Sequence, residues 1–310
     1  MEISGKPRIV IWFVSTNGRY IGDAVNILEQ QHNGVIIGIT ATQKISIINE
    51  SGPIFPYISL QELTQNGGGY DIILVAGAKN IGMSEVVKFA RAIKLDTSKL
   101  LGDWIVCIPG FTLDKYRKLQ RSKLSILSVD CFGSYISNTL GLPFRSPFVN
   151  LFMDRQEFIK FLQHPHIYIE DEPVFDKLTG TSFECPNGFP VLSLGNISLN
   201  MMHYPKVDES IEKWNERKKR INWYNLFIVT NTDKIEILEQ FDELPYGKKV
   251  CFVPFKSNLD SAFYIDMKFS TEKRPLLPNV IHYYAQANPP IFYDMFDMLL
   301  YGKKTPLIEM

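Results

Sequence analysis

Five of the nine residues from Lys213 to Ile221 are cationic: Lys213, Arg217, Lys218, Lys219 and Arg220. They run past Trp214 and lead into Asn222-Trp223-Tyr224-Asn225. Guanidinium forks match phosphate and carboxylate oxygens bidentately, and lysine adds a mobile point charge. The whole chain balances 33 Lys and Arg against 33 Asp and Glu. Local charge on a neutral chain suits one discrete anion; a nucleic-acid surface would need a broad positive field. Asn222 and Trp223 would add an amide and a flat ring to the same binding site. On a helical wheel Ile211, Trp214, Lys218 and Ile221 share one face, with Lys213, Arg217 and Arg220 along its border. Glu212, Glu216 and Lys219 face away. Lys213, Arg217 and Arg220 are therefore expected to meet a ligand together, with Lys218 snorkelling out along the packed face. A structural reading stands beside this one, because i,i+4 pairs such as Glu216–Arg220 and cations at a helix C-terminus also stabilise the helix.

Arg145 lies between Pro143 and Pro147, and prolines on both sides restrict the backbone that presents it. A stiff loop offering one guanidinium is a candidate anion clamp; a surface ion pair is the alternative. Cys131 follows a strand-like run and precedes Gly133 and a helix-like run, where α/β folds display reactive groups. A thiolate there would gain from the helix N-terminus. His203 ends the second strand of a hairpin pattern, just before Pro205, and is a candidate acid–base or ligand-binding group, alone or with Cys131. The other histidines (His32, His164, His166, His282) and cysteines (Cys107, Cys185, Cys251) show no metal-ligand spacing. No P-loop, Gly-x-Ser-x-Gly elbow or kinase signature appears. The sequence therefore predicts no metal centre and no bound cofactor.

These groups need a scaffold. A chain of 310 residues predicts two domains. Residues 1–122 alternate strand and helix patterns: strands at 8–14, 35–40, 71–76 and 104–108, and helices at 20–31, 59–64 and 84–94, the last capped by Ser84. That rhythm predicts a Rossmann-like parallel sheet. The dinucleotide fingerprint would fall on Phe13-Val14-Ser15-Thr16-Asn17-Gly18, and only Gly18 keeps its glycine. Residues 123–310 predict a second α/β domain. Its strands fall at 125–129, 191–194, 197–203, 226–230 and 250–253. Its helices fall at 154–162 (capped by Asp154), 208–221, 234–241 and 291–300. Gly195-Asn196 reads as a hairpin turn, and 170–188 as an irregular excursion.

A hydrophobic fraction of 45% with 21% charged residues fits a globular protein. No apolar run reaches the roughly 20 residues of a membrane-spanning helix. The N-terminus, with Glu2, Lys6 and Arg8, does not read as a signal peptide. Four scattered cysteines predict reduced thiols, and the expected location is cytoplasmic.

Several blocks occur in a fixed order. They are Val-Asp-Cys-Phe-Gly (129–133), Leu-Gly-Leu-Pro-Phe-Arg-Ser-Pro-Phe (140–148), Phe-Ile-Lys-Phe-Leu (158–162), Met-His-Tyr (202–204), the 213–223 segment and Phe-Asp-Glu-Leu-Pro (241–245). Over about residues 124–255 the chain resembles a bacterial family catalogued as a domain of unknown function and labelled with exopolysaccharide biosynthesis. The family's usual Asn-Cys-Trp-Gly-Gly is departed from at Asp130, Phe132 and Ser134. Residues 1–122 loosely resemble the Rossmann-like N-terminal domain of sugar-modifying acyltransferases. The resemblance implies a surface-polysaccharide pathway and leaves the reaction open.

Three functions are consistent with these residues. One is a transferase acting on a nucleotide sugar or another phosphate-bearing substrate, with Arg145, His203 and the basic segment handling the phosphate. Another is a non-catalytic accessory protein that binds a glycan or the pathway's enzymes. The third is an acyl or thiol-transfer enzyme built on Cys131.

Overall fold

A computed structural model describes residues 5–15, 18–42, 55–65, 69–79, 81–273, 276–278, 280–281 and 293–307. The chain forms two compact units, Met1–Leu113 and Asp114–Met310.

The first unit contains β1 (Arg8–Phe13), α1 (Ile21–His32), β2 (Val35–Ala41), α2 (Leu60–Gln65), β3 (Ile72–Ala76), α3 (Met83–Ala92), β4 (Leu100–Gly102) and α4 (Asp103–Val106). Its strands pair in the order β2-β1-β3-β4, all parallel. Ile9, Val10 and Trp12 are wholly buried, because a strand covered on both faces needs a continuous apolar run. Thr16 and Asn17 of the expected fingerprint lie outside the described residues.

Two expectations for this unit are corrected. Residues 104–108 are not a strand: the last strand is Leu100–Gly102, and Asp103–Val106 is a short helix. A brief, fully buried apolar run carries no period that separates the two. Ser84 is not the cap of α3, because Gly82 holds that position with φ 89° and no side-chain bond.

The second unit begins in α5 (Leu113–Arg121), which runs across the boundary. There follow β5 (Ser125–Ser128), α6 (Phe132–Thr139), α7 (Arg155–Gln163), α8 (Pro165–Glu170), β6 (Val174–Thr179), β7 (Phe189–Leu194) and β8 (Ile197–Asn200). The unit continues with α9 (Val207–Lys218), β9 (Leu226–Asn231), α10 (Ile235–Asp242), β10 (Lys249–Val253), β11 (Ala262–Tyr264) and α11 (Met295–Tyr301). A second parallel sheet has the order β11-β10-β9-β5, and β6-β7-β8 form an antiparallel sheet. The two parallel sheets and their helices make the chain α/β and fit the expected Rossmann-like class.

Local chemistry explains several boundaries. Asp154 caps α7, its Oδ1 accepting from the Gln156 and Glu157 amides at 2.8 and 3.4 Å. Gly195, at φ 58°, turns the β7–β8 hairpin. Part of the expected excursion at 170–188 is a strand, β6, whose outward residues follow no apolar alternation. Ile291 and Phe292 of the expected tail helix lie outside the described residues, and α11 starts at Met295.

Buried apolar groups from β5, β7, β8, β9, β10 and the helices α7, α9 and α10 form one core. At the carboxyl ends of β5 and β9, Asn231 Nδ2 donates to Asp130 Oδ2 at 2.8 Å, and Arg155 Nη2 donates to Asn231 Oδ1 at 2.7 Å. Asp130 Oδ1 also accepts from the Phe132 amide at 3.0 Å. This network joins the two strands to the starts of α6 and α7. Among the described residues no helix is long and apolar enough to cross a membrane.

Candidate functional site

A cleft of about 790 Å3 opens in the second unit between Lys123, Pro143, Phe144, Arg145, Lys219, Arg220, Ile221 and Asn222. Four of these described lining residues are cationic and none is acidic. Among the described residues no salt bridge engages Lys123, Arg145 or Lys219; Arg220 pairs with Glu216 on the outer side of α9.

Three short segments build the walls. The first carries Arg145. Helix α6 is capped at Leu140, and Gly141 at φ 62° turns the chain, with its amide bonded to Asn138 O and that of Leu142 to Ser137 O at 2.8 Å. The 143–147 loop then closes on Phe148, which is 1% exposed. The Phe148 ring packs edge-on against Phe158, Phe161 and Trp214. The loop therefore springs from a helix end and is anchored by an aromatic plug.

The second wall is the chain leaving α9. The helix ends at Lys218; Lys219 caps it with φ −70° and ψ −12°, and the Arg220 amide donates to Arg217 O at 2.9 Å in the closing turn. Trp214, 1% exposed, fixes the helix in the core. The third wall is the α5–β5 turn, where Lys123 takes the left-handed conformation at φ 50°. Asn222 straps the last two walls together: its amide N donates to Ser125 Oγ at 2.8 Å and its Nδ2 to Lys123 O at 3.0 Å. Asn225 Nδ2 adds a bond to Ser122 O at 2.8 Å.

The cations expected to act together are divided. Arg145 and Arg220 line the cleft. Arg217 does not: its Nη1 donates to Val149 O at 3.1 Å and bonds the Tyr204 hydroxyl. The Tyr204 hydroxyl in turn donates to Val149 O at 3.1 Å. Burial raises the Tyr204 phenol, and the Arg217 charge offsets part of that rise. Lys218 Nζ reaches Asp171 O at 3.2 Å and Glu172 Oε1 at 3.4 Å, and its side chain is only 12% exposed. A hydrogen bond from Asn215, followed by the Lys218 charge, lowers the Glu172 carboxyl. Lys213 bonds Glu216 at 3.1 Å. The Lys213 hydrogen bond and the Arg220 charge lower the Glu216 carboxyl. Trp223 lies against His166, with ring centroids 4.5 Å apart and planes tilted by 45°, and is not a lining residue. Lys219 and Lys123 join the cleft without having been singled out. The helical wheel sets Lys219 on the far face, and no motif marks Lys123.

Cys131 and His203 lie away from this lining. Cys131 is the N-cap residue of α6, is buried, and has its Sγ 3.9 Å from Leu151 O. Burial, aided by the charges of Asp130 and Glu184, pushes its thiol up to about 12. Desolvation outweighs the expected helix-terminus gain. His203 follows the end of β8 at Asn200 and places Nδ1 3.1 Å from Glu184 Oε2. Glu184 is thus a neighbour of both groups. Its own backbone hydrogen bond and then the His203 charge keep its carboxyl low.

A family model described as a domain of unknown function (DUF1919) matches residues 106–301, which include every wall of the cleft. An uncharacterised protein of Haemophilus influenzae is 32% identical over 187 residues, covering 58% of this chain and 84% of that protein.

Proposed function

The chain belongs to the DUF1919 domain family, and on that premise we propose that its cleft binds a phosphate-bearing substrate for a transferase of bacterial surface-polysaccharide assembly. The preferred substrate is a nucleotide sugar, which fits a cytoplasmic enzyme. The observation that carries this reading is the charge imbalance of the lining: Lys123, Arg145 and Lys219 have no salt-bridge partner among the described residues, Arg220 shares Glu216, and no carboxylate is among the lining residues. A diphosphate would neutralise that set, and the same cations would stabilise negative charge developing on a phosphate leaving group. Phe144 and Ile221 offer apolar contact for the rest of the ligand.

Calorimetric titration with UDP-glucose, GDP-mannose and inorganic pyrophosphate tests the reading. Saturable binding that Arg145→Ala weakens supports it. If none of the three binds at low salt, the reading fails.

A second reading, a non-catalytic protein that binds an acidic glycan or a pathway enzyme, rests on a different observation. The described lining residues include no His, Cys, Ser, Asp or Glu to take a proton or attack a substrate. Turnover separates the two: release of nucleotide from a bound nucleotide sugar in the presence of acceptor glycan favours the transferase. Tight binding without release, together with capture of a purified pathway enzyme, favours the accessory protein.

A further inference from the structure

Strand β6 stands at the edge of the β6-β7-β8 sheet and pairs on one side only among the described strands. None of its residues is buried, and Val174, Phe175 and Leu178 are 63, 43 and 54% exposed. Exposed edges in monomeric proteins are normally protected by charge, proline or a covering segment, because their free backbone groups accept another strand. Here three large apolar side chains occupy such an edge.

We propose that β6 pairs antiparallel with β6 of a second copy of this chain, joining two three-stranded sheets across a two-fold axis. A bulge makes the strand self-complementary. Phe175 faces Leu192 and Lys177 faces Val191, so Asp176 is the extra residue between them. The extra residue resets the alternation. Phe175 and Leu178, opposite Leu192 and Pro190, share one face of the sheet; Val174 and Thr179, opposite Ser193 and Phe189, share the other.

A two-fold axis between Asp176 and Lys177 then sets Phe175 against Leu178 of the other copy, and Val174 against Thr179, each pair on a single face. It also brings Asp176 of each copy beside Lys177 of the other. Sliding by one residue sets Asp176 against itself in one direction and Lys177 against itself in the other, and puts the apolar residues on opposite faces. Only the central register satisfies charge and face together, and it is the isologous arrangement that closes as a dimer. Within one copy Lys177 Nζ lies 3.7 Å from Asp176 Oδ2, a long contact between exposed groups that leaves both ready to exchange partners.

A six-residue pairing lies at the low end of specific interfaces, so dissociation is expected on the order of tens of micromolar. Sedimentation velocity across the range of about 1 to 200 µM reads it. The expected result is a reversible monomer–dimer equilibrium. Lys177→Asp and Asp176→Lys should each weaken it at least about tenfold, by setting like charges opposite. Mixing the two variants should restore dimerisation, because each Asp then meets a Lys. Circular dichroism controls for folding, which substitutions at these exposed positions leave intact. A wild-type chain that stays monomeric throughout, single variants that dimerise like wild type, or a mixture that fails to recover would each overturn the proposal.

Discussion

The rings of Phe148 and Trp214 meet edge to face, with centroids 5.7 Å apart and planes at 87°. Phe148 closes the loop that presents Arg145. Trp214 anchors the helix that delivers Lys219 and Arg220. One aromatic contact therefore links two walls of the cleft. Arg217 reinforces it by holding Val149, the residue after Phe148. Positively charged groups near one another repel, so a cluster of cations needs walls held by something other than its own charges.

Phe148→Ala should destabilise the second unit by about 3–5 kcal/mol, the usual cost of emptying a buried aromatic site. Phe148→Leu should cost less, because it refills much of the volume. Urea unfolding followed by tryptophan fluorescence measures both.

Removing a cleft cation should act on binding and not on folding. Arg145→Ala, Lys219→Ala and Arg220→Ala should each weaken pyrophosphate binding by roughly 5- to 20-fold, with stability changed by no more than about 0.5 kcal/mol. Calorimetry at two salt concentrations gives the comparison, and binding should weaken as ionic strength rises.

Arg217→Ala should show the opposite pattern. It loses the bonds to Val149 and Tyr204 and should lower stability by about 1–3 kcal/mol. Tyr204→Phe removes one of the same bonds. The double variant should therefore fall short of the sum of the two losses. Chemical denaturation of the four proteins completes the cycle.

Cys131 should resist alkylation at neutral pH in the folded protein and label freely after unfolding. With its thiol raised to about 12 in the fold, the unfolded chain loses the proton first. The stability gained by keeping Cys131 protonated is then fully present below the unfolded thiol's pKa and declines as pH rises from there toward 12. Timed iodoacetamide labelling with peptide mapping reads the first effect. Unfolding at stepped alkaline pH, with Cys131→Ala as control, reads the second.

Much of the scaffold was legible because its signals are local. Apolar runs such as Ile9–Trp12 identified buried parallel strands, Asp154 announced a helix start, and Gly195-Asn196 a hairpin. The strand β6 was not legible, since its exposed sequence Val-Phe-Asp-Lys-Leu-Thr lacks the alternation that one buried face imposes. Arg145, Arg220 and Asn222, singled out by residue type and setting, are among the residues that line the cleft. Lys219 lines the cleft although the wheel sets it on the far face, because the cleft is walled by the 143–147 loop and the α5–β5 turn, whose positions a wheel does not contain. The separation of Arg217 from the cleft-lining cations depends on Val149 and Tyr204, whose approach is a tertiary fact that no spacing encodes.

Lys123 holds a left-handed backbone at φ 50°, a conformation that costs a side-chain-bearing residue about 1 kcal/mol and glycine almost nothing. The rim of the cleft thus carries a built-in opposition between robustness and charge. Glycine would relax the turn, while lysine keeps an ammonium group over the space that Arg145 and Lys219 share. Selecting variants of this protein for heat resistance alone would favour Lys123→Gly, and the more durable protein would be the one whose cleft is the less positive.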